Sequence, residues 1–257
     1  MPIDAGMSRT TDDAAEPDWP EFLSGLSRTP AAASEGPKQD RSRRRREEIL
    51  RASLRVFARD GISRARLADI AAEAGVPVSS IYEYFPSKED IAYAVPRIHL
   101  SRFYEEYAAT AAPGLPAGER LRRYLWLACD FARRNPDWAR TLYLEIWPSV
   151  LITDSPVRHS LDDYVRVILR LLREGEVRGE WAAGHDHYET AAILNGAVNQ
   201  VIITWLLYRR PRDLMKAVNA MLSRLLPALL PPLAPAARRA APPKPRARRR
   251  RAATART

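Results

Sequence analysis

The fold of this chain is decided by the stretch Leu67-Ala-Asp-Ile-Ala-Ala-Glu-Ala-Gly-Val-Pro-Val-Ser-Ser-Ile-Tyr-Glu-Tyr-Phe-Pro-Ser-Lys88. Apolar side chains recur at spacings of three and four residues from Leu67 to Ala74, so they share one face of a short helix. Gly75 is expected to end that helix, because glycine adopts the left-handed conformation at little cost. Pro77 has no amide hydrogen to lose and suits the start of a second helix. This order is typical of a helix-turn-helix, in which the second helix enters the DNA major groove.

The second helix is expected to present small hydroxyl side chains and to bury apolar ones. Ser79 and Ser80 are its first exposed side chains, whereas Ile81 and Phe85 point inward at spacing i, i+4. Ser87 then caps a third helix, with an acidic residue three positions later. The pattern therefore predicts a compact helix-turn-helix followed directly by a longer helix.

Several segments of this region, in order and spacing, resemble the amino-terminal domain of the TetR family of transcriptional repressors. The resemblance covers roughly residues 43–95. The matching segments are Arg45-Arg-Glu-Glu-Ile-Leu-Arg-Ala-Ser-Leu-Arg-Val-Phe-Ala-Arg-Asp-Gly61, Asp69-Ile-Ala, Ala74-Gly-Val, Ile81-Tyr-Glu-Tyr-Phe and Ser87-Lys-Glu-Asp90. What the resemblance implies is a dimeric, sequence-specific regulator of transcription, most simply a repressor that a small molecule releases from a palindromic operator.

The resemblance also implies which residues contact double-stranded DNA, within a helix-turn-helix at about residues 66–85. Small side chains at Ser79 and Ser80 allow close approach to base edges, and Tyr82 and Tyr84 occupy positions that contact the sugar-phosphate backbone. Lys88 matches a phosphate-binding lysine at a helix amino terminus. The candidate DNA-contacting set is Arg45, Arg46, Arg66, Pro77, Val78, Ser79, Ser80, Tyr82, Tyr84 and Lys88.

One departure from the family pattern lies just before the first of the two helices. The family commonly has a pair of threonines there, whereas this chain has Ala65-Arg66. The threonine that would cap the helix and bind a phosphate is therefore missing. Arg66 still supplies positive charge, but the operator preference of relatives does not transfer.

Helical patterns bounded by Pro, Gly or Asp continue to about residue 230, without the alternation typical of strands, and predict an all-α fold. Helices are expected at 119–134, 136–150, 155–178, 186–209 and 212–230. In the earlier helix that Ser87 caps, Pro96 is expected to cause a break near Val95. The lone Cys129, among apolar neighbours, is expected to be structural. The predicted organisation is a disordered arm (1–40), the DNA-binding domain (41–100), a helical effector-binding and dimerisation domain (101–230) and a disordered basic tail (231–257).

The net charge of +10 is concentrated at the carboxy-terminal end. Residues 236–257 hold nine Lys/Arg and no acid, whereas residues 1–37 hold two Arg and seven acids. The tail is either a sequence-blind phosphate clamp or a solubilising segment. The main alternative function is therefore an architectural, nucleoid-associated DNA-binding protein that relies on this tail.

Two functions are expected in the carboxy-terminal domain. Small residues at helical spacing predict a four-helix interface with a second copy, and a palindromic site would need such a homodimer. The dimer-interface candidates are Ala192, Gly196, Asn199, Leu214 and Met221. Aromatic residues are concentrated in the region where the resemblance implies an effector pocket, although aromatic residues at helical spacing also form ordinary core. A pocket there would bind an unknown small apolar or aromatic effector. The pocket candidates are Trp126, Phe131, Tyr143, Trp147 and Trp205.

Catalysis and membrane insertion are not expected. There is no Gly-rich phosphate loop or nucleophile motif, and no cofactor or metal is predicted. His185 and His187 diverge at spacing i, i+2, which disfavours the alternative of a metal-dependent enzyme. The start of the chain lacks the features of a signal peptide, and the apolar run Val201–Leu207 is too short to span a bilayer. A cytoplasmic location follows as the expectation.

Overall fold

The computed structural model of the chain describes residues 37–110, 114–149 and 156–231, and every regular element within these ranges is helical. The all-α prediction is confirmed. The predicted arm and basic tail fall almost entirely outside the described residues. The elements are α1 (Pro37–Asp60), α2 (Leu67–Ala74), α3 (Val78–Tyr82), α4 (Lys88–Thr110), α5 (Ala117–Arg134), α6 (Pro136–Arg140), a π-helical segment (Thr141–Ile146), α7 (Pro156–Val177), α8 (His187–Tyr208) and α9 (Leu214–Leu229).

The first three helices, α1 to α3, form a small unit, the reading unit, around the inward face of α1. Ile49, Val56 and Phe57 on this face are at most 1% exposed, and α1 packs against both α2 and α4. Helix α1 starts at Pro37, since proline is tolerated in a first helical turn. This unit holds α3 at its surface.

Helix α4 continues through Pro96, although a break was expected near Val95. Val95 before the proline and Leu100 and Phe103 after it are all buried. Packing against α1 on one side and α7 on the other holds both halves of the helix together. Tertiary contacts therefore override the loss of one backbone hydrogen bond.

Helix α5 is the centre of the larger domain and contacts α4, α6, α7, α8 and α9. Its Arg120 is 1% exposed, and Nη1 donates to both carboxylate oxygens of Glu174 on α7, at 2.8 and 2.9 Å. Glu180 accepts hydrogen bonds from the amides of Ala117 and Gly118, so a carboxylate neutralises the positive end of the helix dipole. Cys129 is buried, and burial raises the pKa of its thiol to about 12, consistent with a structural role.

The π-helical segment connects the two parts of the molecule. It follows α6 directly and contacts α1 of the small unit as well as α8 of the large domain. A single helix was expected over 136–150, but the backbone widens after Arg140. Such π turns occur frequently at functional sites.

Candidate nucleic-acid interface and effector cavity

The turn between α2 and α3 has the predicted glycine geometry. Gly75 has φ of +66°, and the amide of Val76 donates to the carbonyl of Ala71 at 3.0 Å, which closes the helix in a Schellman pattern. No atom lies within 4 Å of the position of an added Cβ, so the backbone conformation and not space requires glycine. The turn sets the direction in which α3 leaves α2.

Helix α3 exposes one face to solvent and buries the other. Val78 is 37% and Tyr82 57% exposed, and Ser79 and Pro77 are exposed beside them. Ile81, which is fully buried, anchors the opposite face. An exposed valine, serine and tyrosine on one short helix fit apolar contact with thymine methyl groups and hydrogen bonds to phosphates.

Other predicted DNA-contacting residues are partly buried or form hydrogen bonds within the protein. Ser80 is half-buried, and Tyr84 lies beyond the end of α3 and packs against the core. Lys88 Nζ donates to the carbonyls of Ser63 and Ala65, both at 3.1 Å. The ammonium therefore closes the α1–α2 connection, a structural role that spacing alone did not reveal.

Arg66 occupies the capping position of α2 without capping it. Guanidinium groups only donate hydrogen bonds, so the Arg66 side chain has no acceptor for the free helix amides. Asp69 supplies the reciprocal contact, because its carboxylate accepts from the Arg66 amide at 3.2 Å. The side chain of Arg66 is exposed. The charge that replaces the threonine cap thus lies at the surface beside α2.

The two arginines predicted on α1 differ in their surroundings. Arg45 is exposed and pairs with Glu48 at 2.9 Å. Arg46 stacks over the ring of Phe85, with its Cζ 4.9 Å from the ring centroid. Burial, and then the nearby charge of Arg97, lower the pKa of Arg46. Stacking on Phe85 links the middle of α1 to the segment between α3 and α4.

The carboxylate of Glu145, on the π-helical segment, contacts the reading unit. Glu145 accepts a hydrogen bond from the amide of Ile62 at 3.3 Å. A Cβ added to Gly61, whose φ is +80°, would lie 3.2 Å from one carboxylate oxygen of Glu145. This contact joins residues 83 positions apart, so no local sequence pattern indicates it.

A narrow cavity lies inside the larger domain, with about 20 Å³ of free space, enough for a single water molecule. Tyr143 and Trp147, both predicted pocket residues, line it. So does Asn199, a predicted interface residue, one helical turn from Asn195. The complete lining is Leu100, Phe103, Ala128, Trp138, Leu142, Tyr143, Trp147, Leu161, Tyr164, Asn195 and Asn199.

The remaining pocket candidates lie elsewhere. Phe131 is buried in the core, in an edge contact with Trp138 at 5.1 Å between ring centroids. Trp126 is half-buried against the core, and Trp205 stacks under Arg209. Asn195 and Asn199, polar residues at i, i+4 on an apolar helix, are a further sequence signal of this cavity besides the aromatic residues.

Helix α8 leaves a largely apolar face uncovered. Ala192 and Gly196 are exposed, and no atom lies within 4 Å of a Cβ added at Gly196. The exposed large apolar residues of α8 are Tyr188, Ile193, Leu207 and Tyr208. By length and composition, the whole of α8 is apolar enough to cross a membrane, whereas the run Val201–Leu207 alone is too short. Within the most apolar 18 residues of α8, 33% are buried in the protein.

The two candidates on α9 differ in burial. Leu214 is 2% exposed and packs in the core of its own chain, so it is not on the uncovered face. Met221 is half-buried. Buried residues of α9 recur at Leu214, Val218 and Leu222, which places the core stripe of this helix one position after Met221.

The two histidines considered as metal ligands make protein contacts instead. His187 Nε2 lies 2.6 Å from a carboxylate oxygen of Glu176, and His185 Nδ1 lies 2.8 Å from the carbonyl of Ala182. Within the described ranges, no cluster of three or more His, Cys, Asp or Glu side chains could hold a metal ion.

Comparison with known proteins shows which family model and which relatives this chain resembles. Residues 49–95 match the domain described as "Bacterial regulatory proteins, tetR family". The chain is 25% identical over 179 residues to the fatty acid metabolism regulator protein of Bacillus subtilis, covering 70% of this chain and 92% of the relative. It is 23% identical over 202 residues to the transcriptional repressor KstR of Mycobacterium tuberculosis, covering 79% and 88%.

A solved structure with the same fold is the FadR regulator of Bacillus subtilis in complex with stearoyl-CoA. It superimposes with a TM-score of 0.66 at 25% identity, over 70% of this chain and 96% of that one. The similarity thus extends through both the reading unit and the larger helical domain.

Proposed function

We propose that this chain is a TetR-type transcriptional regulator, a homodimeric repressor which leaves a palindromic operator when a small apolar ligand binds. The observation that carries the DNA-binding part is the exposed tip of α3. Val78, Ser79 and Tyr82 project from a helix that the fold holds at the surface. Residues 41–100 act as the DNA-binding domain, and residues 101–230 as the effector and dimerisation domain.

Dimerisation is supported by the uncovered face of α8. Soluble proteins rarely leave large contiguous apolar surfaces exposed unless another molecule covers them. The small residues Ala192 and Gly196 allow a second copy of α8 to approach closely. Two-fold pairing there also places two copies of α3 on one DNA, one for each half-site.

An apolar effector is supported by the cavity and by the similarity to the Bacillus subtilis regulator. Aromatic and aliphatic side chains form most of the lining, and that relative is a fatty acid metabolism regulator whose FadR structure was solved with stearoyl-CoA. The ligand of this chain would then insert its apolar part between α4, α5, α7, α8 and the π-helical segment.

The coupling between ligand and DNA runs through the π-helical segment. A free volume of about 20 Å³ is far below the several hundred Å³ of ligand pockets, so ligand binding must separate the lining helices. The segment contributes Leu142 and Tyr143 to this lining, while its Glu145 holds the loop at Ile62. Displacement of the segment would then shift the reading unit and the separation of the two α3 helices.

The test is a genome-wide binding footprint of the full chain and of Tyr82→Ala. The proposed function predicts short, palindromic footprints that Tyr82→Ala loses. Adding apolar compounds to the wild-type complex on a footprinted fragment should then release it. Footprints without a shared motif would contradict sequence-specific regulation.

A chain ending at residue 235 separates this function from the architectural alternative. A repressor keeps its footprints without the basic tail, although its affinity becomes less sensitive to salt. An architectural protein loses most of its DNA binding. The same experiment decides whether the tail provides nucleoid association in a cytoplasmic regulator.

A further inference from the structure

The effector cavity contains buried hydrogen-bond donors without protein partners. Trp138 Nε1 and the Tyr164 hydroxyl are both buried, and neither has a hydrogen-bond partner within the described residues. Both side chains line the cavity. Buried donors are nearly always paired in folded proteins, so unpaired ones at a cavity indicate a ligand acceptor or a water.

Among the residues that the structure describes, no charged side chain lines the same cavity. Asn195 and Asn199 are its most polar residues, and the other lining residues are aliphatic or aromatic. Burial raises the pKa of Tyr164 well above its usual value, because removal from water disfavours the negatively charged form. A carboxylate placed here would lose its hydration without gaining a cation.

From these two observations we infer that the effector is an apolar molecule with an uncharged acceptor oxygen, such as an ester, thioester or ketone, and is not a free carboxylic acid. The carbonyl oxygen accepts hydrogen bonds from Trp138 Nε1 and the Tyr164 hydroxyl. The asparagine amides of α8 bind a second polar atom of the ligand. This inference rests on the proposed function, because it assigns the ligand class of the proposed effector cavity.

The cavity also explains how the ligand class is linked to DNA release. Asn195 and Asn199 lie on α8, the helix with the uncovered apolar face, and Tyr143 and Trp147 belong to the π-helical segment and its first following residue. A ligand with only an apolar tail fills the volume. A ligand with an acceptor in addition pairs the buried donors and engages α8.

A matched probe series tests the inference on the full chain. Methyl decanoate, decanoate and decane share an alkyl chain and differ in the neutral acceptor and the charge. Quenching of tryptophan fluorescence and the shift in Tm report binding independently of DNA. Methyl decanoate is expected to bind at least tenfold tighter than decanoate and several-fold tighter than decane.

Tyr164→Phe removes one unpaired donor while keeping the ring. It is expected to lower the preference for methyl decanoate over decane at least threefold, and to leave the Tm of the free protein unchanged or higher. The matched control is Tyr107→Phe, whose hydroxyl already donates to the carbonyl of Arg120 and lies outside the cavity lining. This control should lower the Tm without changing the preference.

The outcomes separate the inference from the proposed function. Tighter binding of decanoate, no binding of methyl decanoate, or an unchanged preference in Tyr164→Phe overturns the inference. If methyl decanoate binds as expected but no operator complex responds, the inference stands and the ligand-responsive repressor does not.

Discussion

Single residues of the reading unit divide into those fixed by the local chain and those fixed by distant neighbours. Gly75 has the predicted left-handed conformation, and Ser87 caps α4 through a 3.1 Å hydrogen bond from the Asp90 amide, because both depend on adjacent residues only. Lys88 and Tyr84 turned out to make internal contacts. The hydrogen bonds of Lys88 join residues 25 and 23 positions apart in sequence, which spacing cannot reveal.

Replacing Tyr82 with alanine should weaken operator binding uniformly across sequences. A hydrogen bond contributes about 1 kcal/mol, so its loss in both copies of a dimer lowers affinity by about 2 kcal/mol, roughly 30-fold. Fluorescence anisotropy with operator and scrambled DNA measures the effect, and Tyr82→Phe separates the hydroxyl from the ring. If Tyr82→Ala bound as the wild type does, α3 would not be the element that contacts DNA.

His99 should make the fold less stable in mild acid. Burial lowers the pKa of His99 in the folded chain below its usual 6.5, and its ring stacks on Trp138 at 6.0 Å. Below about pH 6.5 the unfolded chain therefore binds a proton at His99 that the folded chain does not bind. The free energy of unfolding is at its full value above about pH 6.5 and falls as the pH decreases below it.

Urea unfolding at pH 7.5 and pH 5.5 measures this loss of stability. His99→Gln should lose less stability between the two values than the wild type, and His185→Gln should behave as the wild type. An equal acid loss in His99→Gln would show that other groups dominate the titration.

At the scale of elements, helices were predictable and the π-helical segment was not. Apolar periodicity predicted the order and approximate ends of the helices, because each helix buries one apolar face against its neighbours. After Arg140 the backbone hydrogen bonds span five residues instead of four, and composition alone does not predict this change. Its consequence, a carboxylate held at Ile62, follows only from the tertiary arrangement.

Glu145→Gln should weaken communication between cavity and reading unit more than DNA binding itself. A neutral amide loses the charge-assisted part of the bond to Ile62, about 1 kcal/mol or roughly fivefold in coupling. The measured quantity is the ratio of operator affinities without and with methyl decanoate. Hydrogen exchange at the Ile62 amide should become faster.

Glu105→Gln, an exposed change on α4, is the control for the loss of one negative charge. It should keep both the affinity ratio and the slow exchange of Ile62. A wild-type ratio in Glu145→Gln would remove the π-helical segment from the path of communication.

For the whole molecule, the sequence sufficed for the all-α fold and for the position of the reading unit, since both follow from local patterns. The cavity was predicted only in part. Tyr143 and Trp147 line it, whereas Trp126, Phe131 and Trp205 do not. Aromatic side chains at helical spacing fill cores and line cavities alike, and only the packing of several helices separates the two cases.

Gly196→Leu should separate the proposed dimer without unfolding the chain. The added side chain meets no atom of its own chain near Cβ, but it would clash with a second copy packed on α8. Sedimentation at micromolar concentration should change from dimer to monomer, with helical circular dichroism retained. Ala108→Leu, an equally exposed change on α4, should remain dimeric. A dimeric Gly196→Leu would place the interface elsewhere.

The uncovered face of α8 and the reading tip of α3 belong to separate parts of the chain, and this separation has a genetic consequence. A subunit with a damaged α3 keeps its surface for pairing, so it should combine with intact subunits into hybrids that hold only one half-site. Expressing Tyr82→Ala beside the wild-type gene should therefore derepress its targets in a trans-dominant manner. Adding Gly196→Leu to the same subunit should abolish that interference.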